Sequence, residues 1–111
     1  MESKELALRA ARLMDDMKAE NIQVLDVQKI CNFTNYFVLA TANSATQLRA
    51  VAQHVQRKLR ELGERPTSGG DIDASTWVAL DYYDVVVHVM SAEARDYYNL
   101  ESLWQEAETI E

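Results

Sequence analysis

The pattern of apolar and polar positions predicts alternating helices and strands. Apolar residues recur at helical spacing from about Lys4 to Glu20, which indicates an amphipathic first helix. The β-branched run Ile22–Val27 favours a short strand. Tyr36–Thr41 is almost continuously apolar, as expected of a strand that is covered on both faces. The polar residues 28–35 predict a loop between the two strands.

A second helix is marked by start and stop signals. Ser44 and Gln47 have the spacing of a capping box, in which each side chain accepts a hydrogen bond from the other's backbone N–H. Gly63 suits the left-handed conformation that commonly ends a helix. Between these signals runs a single apolar stripe at helical spacing, made of Leu48, Val51, Ala52, Val55, Leu59 and Leu62.

A β-hairpin is predicted where Trp77–Asp81 and Asp84–Met90 flank a Tyr-Tyr pair. If Asp81 pairs with Asp84, Trp77 lies opposite His88. Alternation then gives one aliphatic face, which belongs against the helices: Val78, Leu80, Val85, Val87 and Val89. The other face is mixed: Trp77, Ala79, Asp81, Asp84, Val86, His88 and Met90. Because this mixture is unlike a buried core, we expect the second face to be a recognition surface.

Composition narrows the class of protein. With 111 residues, 48% of them hydrophobic, the chain can form one core, so we expect a single domain over residues 1–111. The lone Cys31 cannot form an internal disulfide, which favours a cytoplasmic protein. Its apolar runs are far shorter than the roughly 20 residues that span a bilayer, so we expect no membrane segment.

The charge balance argues against a nucleic-acid reader. Acidic residues outnumber basic ones 18 to 11, for a net charge of −7, whereas phosphate binding requires concentrated lysine and arginine. Residues 91–111 hold six acids and only one base, Arg95. An acidic surface of this kind can steer the domain toward a basic protein partner.

One segment leaves an enzymatic alternative open. Gly69-Gly70-Asp71-Ile72-Asp73 combines a glycine turn with two carboxylates, as in metal-dependent nucleotidyltransferases. In those enzymes about a dozen residues separate the two elements, whereas here they are adjacent, so ordinary turn sequence is the favoured interpretation. His54, His88 and Cys31 show no zinc-ligand spacing. We therefore expect no catalytic residue, no metal site and no cofactor, with Asp71 and Asp73 as the alternative.

Aromatic residues are concentrated in the C-terminal third. Six of the nine lie within residues 77–104: Trp77, Tyr82, Tyr83, Tyr97, Tyr98 and Trp104. Aromatic side chains fill cores, but tryptophan and tyrosine are also enriched at protein interfaces. This concentration indicates a surface that binds a protein.

The same segment resembles the Iojap or ribosomal silencing factor family. The resemblance rests on the run from Trp77 to Met90, with its Asp-Val-Val-Val-His-Val core, and on the Tyr-x-Leu-Glu-x-Leu-Trp pattern that follows. The N-terminal half matches at Asp26-Val27, Thr34, Tyr36-Phe37-Val38, Thr41 and Ser44, so nearly the whole chain is covered.

Membership would imply an α/β fold with a single mixed sheet of about five strands flanked by helices, similar to a nucleotidyltransferase core without its active site. It would also imply a translational repressor that binds the large ribosomal subunit through large-subunit ribosomal protein fourteen. The bound factor would sterically block joining of the small subunit when nutrients run short. The docking residues carried over are Trp77, His88, Tyr98, Leu100 and Glu101. A homodimer that uses the same surface stays an open alternative.

The hairpin loop departs from the family pattern at Tyr83. The family has glycine at this position, where a tight turn takes a positive φ, and a bulky residue is strained there. We therefore expect either a different turn or a different pairing register from the one that Asp81 and Asp84 suggest.

Overall fold

A mixed β-sheet organises the part of the chain that the structure, a computed structural model, describes: residues 1–69, 76–98 and 107–110. The strand order is β3-β4-β5-β2-β1-β6; β2 and β5 pair in parallel, and every other pair is antiparallel. The elements are α1 Ser3–Asp16, β1 Glu20–Asp26, β2 Tyr36–Ala42, α2 Ala45–Glu61, β3 Ser68–Gly69, β4 Trp77–Asp81, β5 Val85–Ser91, α3 Ala92–Tyr98 and β6 Glu108–Thr109.

The predicted α/β fold with one mixed sheet is confirmed. Four strands of five to seven residues form the body of the sheet, and two-residue strands lie at its edges. Helices α1 and α2 pack on one sheet face, where their apolar sides meet the aliphatic positions of β2, β4 and β5. Within the described ranges, no helix is long and apolar enough to cross a membrane.

The first helix ends at Asp16, four residues earlier than predicted. Lys18 adopts a left-handed φ of 63°. The backbone N–H groups of Lys18 and Ala19 donate to the carbonyls of Asp15 and Met14, which closes the helix end in the manner of a Schellman motif. The chain then enters β1 directly. A backbone turn at a lysine carries no side-chain signature, so the periodicity could not predict it.

The predicted boundaries of α2 are confirmed with one change. The Ser44 hydroxyl accepts a hydrogen bond from the Gln47 N–H at 3.0 Å, and Gly63 ends the helix with a φ of 87°. The Gln47 side chain, however, accepts from the N–H of Asn43 at 2.6 Å instead of that of Ser44. Leu62, predicted within the apolar stripe, lies past the last helical turn and is exposed.

The hairpin exists, but its predicted register is wrong by two residues. Trp77 pairs with Met90 and Ala79 pairs with His88. The Tyr82 N–H donates to the Val85 carbonyl at 2.8 Å. On the β4 side the pairing therefore continues one residue further than expected, and β5 starts one residue later, at Val85. Because side chains alternate with a period of two, this shift leaves every residue on its predicted face.

The loop that closes the hairpin is strained at Tyr83. This residue has a φ of 70°, and the Asp84 N–H donates to the Tyr82 carbonyl at 2.9 Å, which is the hydrogen bond of a γ-turn. The Asp81 carboxylate accepts from the Tyr83 N–H at 2.9 Å and holds the turn. The Tyr83 side chain is 74% exposed, so little packing compensates for the strained backbone.

Tyr83→Gly should therefore stabilise the fold. Glycine removes the steric penalty of positive φ, and we expect the free energy of unfolding to rise by about 0.5–1 kcal/mol after the loss of unfolded-state entropy is allowed for. Urea denaturation at neutral pH measures the change. Tyr83→Ala is the matched control, since it removes the ring but keeps Cβ. An equal gain in both variants would assign the effect to the ring and not to the backbone.

Candidate partner-binding surface

A row of four rings crosses the sheet face opposite α1 and α2. Phe33 precedes β2, Phe37 lies on β2, His88 on β5 and Trp77 on β4. Successive ring centroids are 6.2, 5.4 and 5.7 Å apart, within the range of aromatic contact. The three strands are neighbours in the sheet, so its pairing brings residues far apart in sequence into one line. We call these four residues the aromatic row.

The aromatic row is buried at its centre and accessible at its ends. Phe37 is buried and His88 is only 7% exposed, whereas Trp77 is half-buried and Phe33 is 67% exposed. The expectation that this whole face resembles an exposed recognition surface is therefore wrong for its middle. A second apolar cluster explains the difference, because it covers this side of the sheet: Leu25, Val27, Phe37, Leu39 and Val86, with Ile30, Cys31 and Ala107 packed against them.

Trp77 and His88 contact each other, as the sequence suggested, although they are not cross-strand partners. The Trp77 Nε1–H donates to His88 Nδ1 at 3.0 Å. The contact is diagonal across the β4–β5 ladder, and a large aromatic side chain can span that separation. The hydrogen bond fixes the orientation of the half-buried indole before any partner arrives.

The environment of His88 holds its imidazole neutral. Burial disfavours the charged ring and lowers its pKa from 6.5 to about 4. Because Nδ1 accepts a hydrogen bond, the neutral ring carries its proton on Nε2. Nε2 has no hydrogen-bond partner within the described ranges. His88 therefore holds Trp77 through this hydrogen bond, and little of the imidazole itself is accessible to solvent.

The remaining predicted docking residues are only partly described. Tyr98 is the last residue of α3, whose start is capped by the Ser91 hydroxyl accepting from the Ala94 N–H at 3.1 Å. The cap at Ser91 starts the short helix that follows β5. Leu100 and Glu101 lie outside the described residues, and so do Asp71 and Asp73 of the enzymatic alternative.

Two members of the aromatic row were missed by the sequence reasoning. Phe37 was interpreted only as part of a buried strand, which it is. Phe33 carried a usable signal, since it is a large aromatic residue flanked by the polar Asn32 and Thr34 within a loop. In residues 1–69, 76–98 and 107–110 no group of three or more metal-ligating side chains occurs.

Four acidic side chains lie on the β4–β5 hairpin and on α3. Asp81 lies on the same face of β4 as Trp77, and Asp84 is exposed in the adjoining loop. Glu93 and Asp96 are exposed on α3. Carboxylates around an apolar anchor attract a basic protein and repel nucleic-acid phosphates.

The burial of His88 predicts a pH dependence of stability. Its pKa is lower in the folded chain than the usual 6.5, so the unfolded chain binds the additional proton below that pH. The free energy of unfolding should fall by about 2 kcal/mol more between pH 7.5 and pH 5 than it would without this group. Urea denaturation of the chain and of His88→Gln, which keeps an acceptor for Trp77, measures the difference. Equal pH dependence in both proteins would contradict the buried neutral ring.

Comparison with known proteins identifies relatives along the whole chain. The family model described as "Ribosomal silencing factor during starvation" matches residues 1–111. The ribosomal silencing factor RsfS of Chromobacterium violaceum is 38% identical over 104 residues, which cover 94% of this chain and 85% of that protein. The Bacillus subtilis protein of the same name is 37% identical over 107 residues, or 96% and 91% of the two chains. The chloroplastic protein Iojap of Zea mays is 34% identical over 99% of this chain and 48% of its own length.

Solved structures agree with the sequence matches. A crystal structure of a Chromobacterium violaceum protein superimposes with a TM-score of 0.91 at 37% identity, covering 95% of this chain and 88% of that one. A crystal structure from Bacillus halodurans gives a TM-score of 0.85 at 34% identity, covering 98% and 99%. Fold and sequence thus agree over almost the entire length, and the chain belongs to the ribosomal silencing factor family.

Proposed function

We propose that this chain represses translation by binding the large ribosomal subunit through its ribosomal protein fourteen, where it sterically blocks joining of the small subunit. The observation that carries the proposal is the family match over residues 1–111, whose named members are ribosomal silencing factors. The chain acts in the cytoplasm, as a single domain, by occupying a surface and not by catalysis.

The aromatic row supplies the apolar part of the docking surface. Trp77 and Phe33 present accessible ring surface at its two ends, and interface hot spots are rich in large, well-positioned aromatic residues. The hydrogen bond from Trp77 to His88 reduces the side-chain entropy that binding would otherwise remove. His88 is thus a support for the anchor, and Tyr98, Leu100 and Glu101 are the further contact residues of the proposal.

Acidic residues give the surface its preference for a basic protein. The net charge of −7 favours encounter with a basic ribosomal protein and disfavours direct, sequence-specific contact with nucleic acid. Asp81, on the same face of β4 as Trp77, and Asp84, in the hairpin loop, can pair with lysine or arginine at the rim of the contact. Such rim charges contribute mainly to the rate of association, which should fall as salt rises.

Gradient sedimentation with purified subunits tests the proposal. The chain should migrate with large subunits, and its addition before the small subunits should reduce the fraction of joined ribosomes. Migration with neither subunit, or unchanged joining at saturating chain, would refute it. Light scattering over the same concentrations shows whether a homodimer covers the surface in the absence of ribosomes.

Trp77→Ala should weaken docking by about 2 kcal/mol or more, because the substitution removes a pre-oriented hot-spot anchor. Co-sedimentation with large subunits across a concentration series measures the dissociation constant. Leu62→Ala is the matched control, since Leu62 is an exposed apolar residue at the end of α2, on the opposite side of the sheet. Unchanged affinity in a folded Trp77→Ala protein would remove this residue from the interface. Trp77→Phe separates the ring from its N–H.

Phe33→Ala should weaken docking at least severalfold while leaving the fold almost as stable. The ring is 67% exposed, so its truncation removes little buried area from the folded chain but a large apolar contact from an interface. The same co-sedimentation series, paired with urea denaturation, measures both quantities. A loss of stability without a loss of affinity would make Phe33 a structural residue.

A further inference from the structure

Arg95 ties α3 to two strands on the aromatic-row side of the sheet. Its side chain is 8% exposed. One terminal nitrogen donates to the backbone carbonyl of Asn21 at 2.6 Å and to the hydroxyl of Thr41 at 2.9 Å. The other donates to the side-chain oxygen of Gln23 at 3.3 Å. A planar guanidinium can satisfy several acceptors at fixed angles, so these bonds define the orientation of the helix as well as its position.

The backbone of β1 is irregular where it meets this guanidinium. The β1–β2 register shifts between Glu20 and Gln23, and Asn21 takes a left-handed φ of 50°. In a regular ladder, backbone carbonyls lie in the plane of the sheet and bond to neighbouring strands. A bulge redirects them, and here the redirected Asn21 carbonyl accepts from Arg95. The irregularity of β1 is thus connected to the anchoring of α3.

Among the described residues, α3 buries little apolar surface of its own. The helix has seven residues, too few for a helix to be stable by itself. Ala94 is its one buried apolar side chain in the described range Ala92–Tyr97. A cavity of about 450 Å³ lies beside the guanidinium, lined by Asn21, Ile22, Gln23, Thr41, Ala92, Arg95 and Asp96. The polar bonds of Arg95 therefore contribute a large share of what fixes this helix.

We propose that Arg95 is a positioning residue for partner docking: it fixes α3, which ends at Tyr98, in the orientation that the partner requires. The proposal rests on the proposed function for its last step. If α3 can detach from the sheet, only the molecules in which α3 is packed on the sheet bind the partner. The apparent dissociation constant then rises by the inverse of their fraction.

The test compares Arg95→Met with the unchanged chain in two measurements. Amide hydrogen exchange, followed by NMR on the isolated protein, should become at least tenfold faster in α3 and stay unchanged in β2 and β5. The dissociation constant for isolated large subunits should rise by a similar factor, and Tyr98→Ala should then weaken binding less in the Arg95→Met background than alone. Arg95→Lys should give an intermediate result, because an ammonium cannot reproduce the guanidinium geometry.

Two further variants keep the test decisive. Arg57→Met, at an exposed arginine on α2, should change neither measurement. If Arg95→Met fails to fold, Thr41→Val removes one acceptor at nearly constant volume and should still accelerate exchange in α3 severalfold. Unchanged exchange in α3 of a folded Arg95 variant would refute the anchoring role without any ribosome present. Faster exchange with unchanged affinity would refute the positioning role alone, and absence of binding by the unchanged chain would overturn the proposed function with it.

Discussion

The parallel pairing of β2 with β5 is the constraint on which the rest of the molecule depends. All seven residues of β2 and six of the seven in β5 are buried, so both sheet faces at this point must be covered. Parallel neighbours also require a long crossover, and the chain uses it to build α2, β3 and β4. The crossover brings Trp77 back beside β5. The position of the candidate surface therefore follows from the way the centre of the sheet is buried.

The two faces of this sheet are covered by different elements and to different extents. On one face, α1 and α2 cover an aliphatic layer and form the larger core. On the other, a smaller cluster surrounds the buried middle of the aromatic row, and the ends of the row reach the surface. The buried His88 links these roles, since it packs against Phe37 at 5.4 Å and accepts the hydrogen bond from Trp77. Trp77 therefore rests on a packed core, which holds its side chain in one orientation. A side chain that is already ordered loses less entropy when it binds a partner.

The sequence predicted features that depend on local chemistry and on period-two alternation. Ser44 and Gly63 carry the physical signals of helix ends, and the division of the hairpin into two faces survived a register error because a shift of two residues preserves it. The register itself depended on Tyr83 accepting a positive φ, which its side chain disfavours.

Other features could not be predicted because they arise only in the folded chain. The left-handed turn at Lys18 occurs at a residue type that does not favour positive φ, whereas Asn21 tolerates it but gave no signal of a bulge inside a predicted helix-to-strand connection. The exposure of Phe33 and the burial of His88 depend on which elements pack over each position. The proposed docking role of Tyr98 came from family resemblance, whereas alternation in the hairpin had also placed Trp77 on the face expected to be a recognition surface.

We propose that the face bearing the aromatic row, and not the face covered by α1 and α2, contacts the large ribosomal subunit. A cryo-electron microscopy map of the chain bound to large subunits tests it most directly. We expect Trp77 and Phe33 to contact ribosomal protein fourteen, and the bound chain to overlap the position of the small subunit. Contact through α1 and α2, or a bound position that leaves the small-subunit surface open, would contradict it.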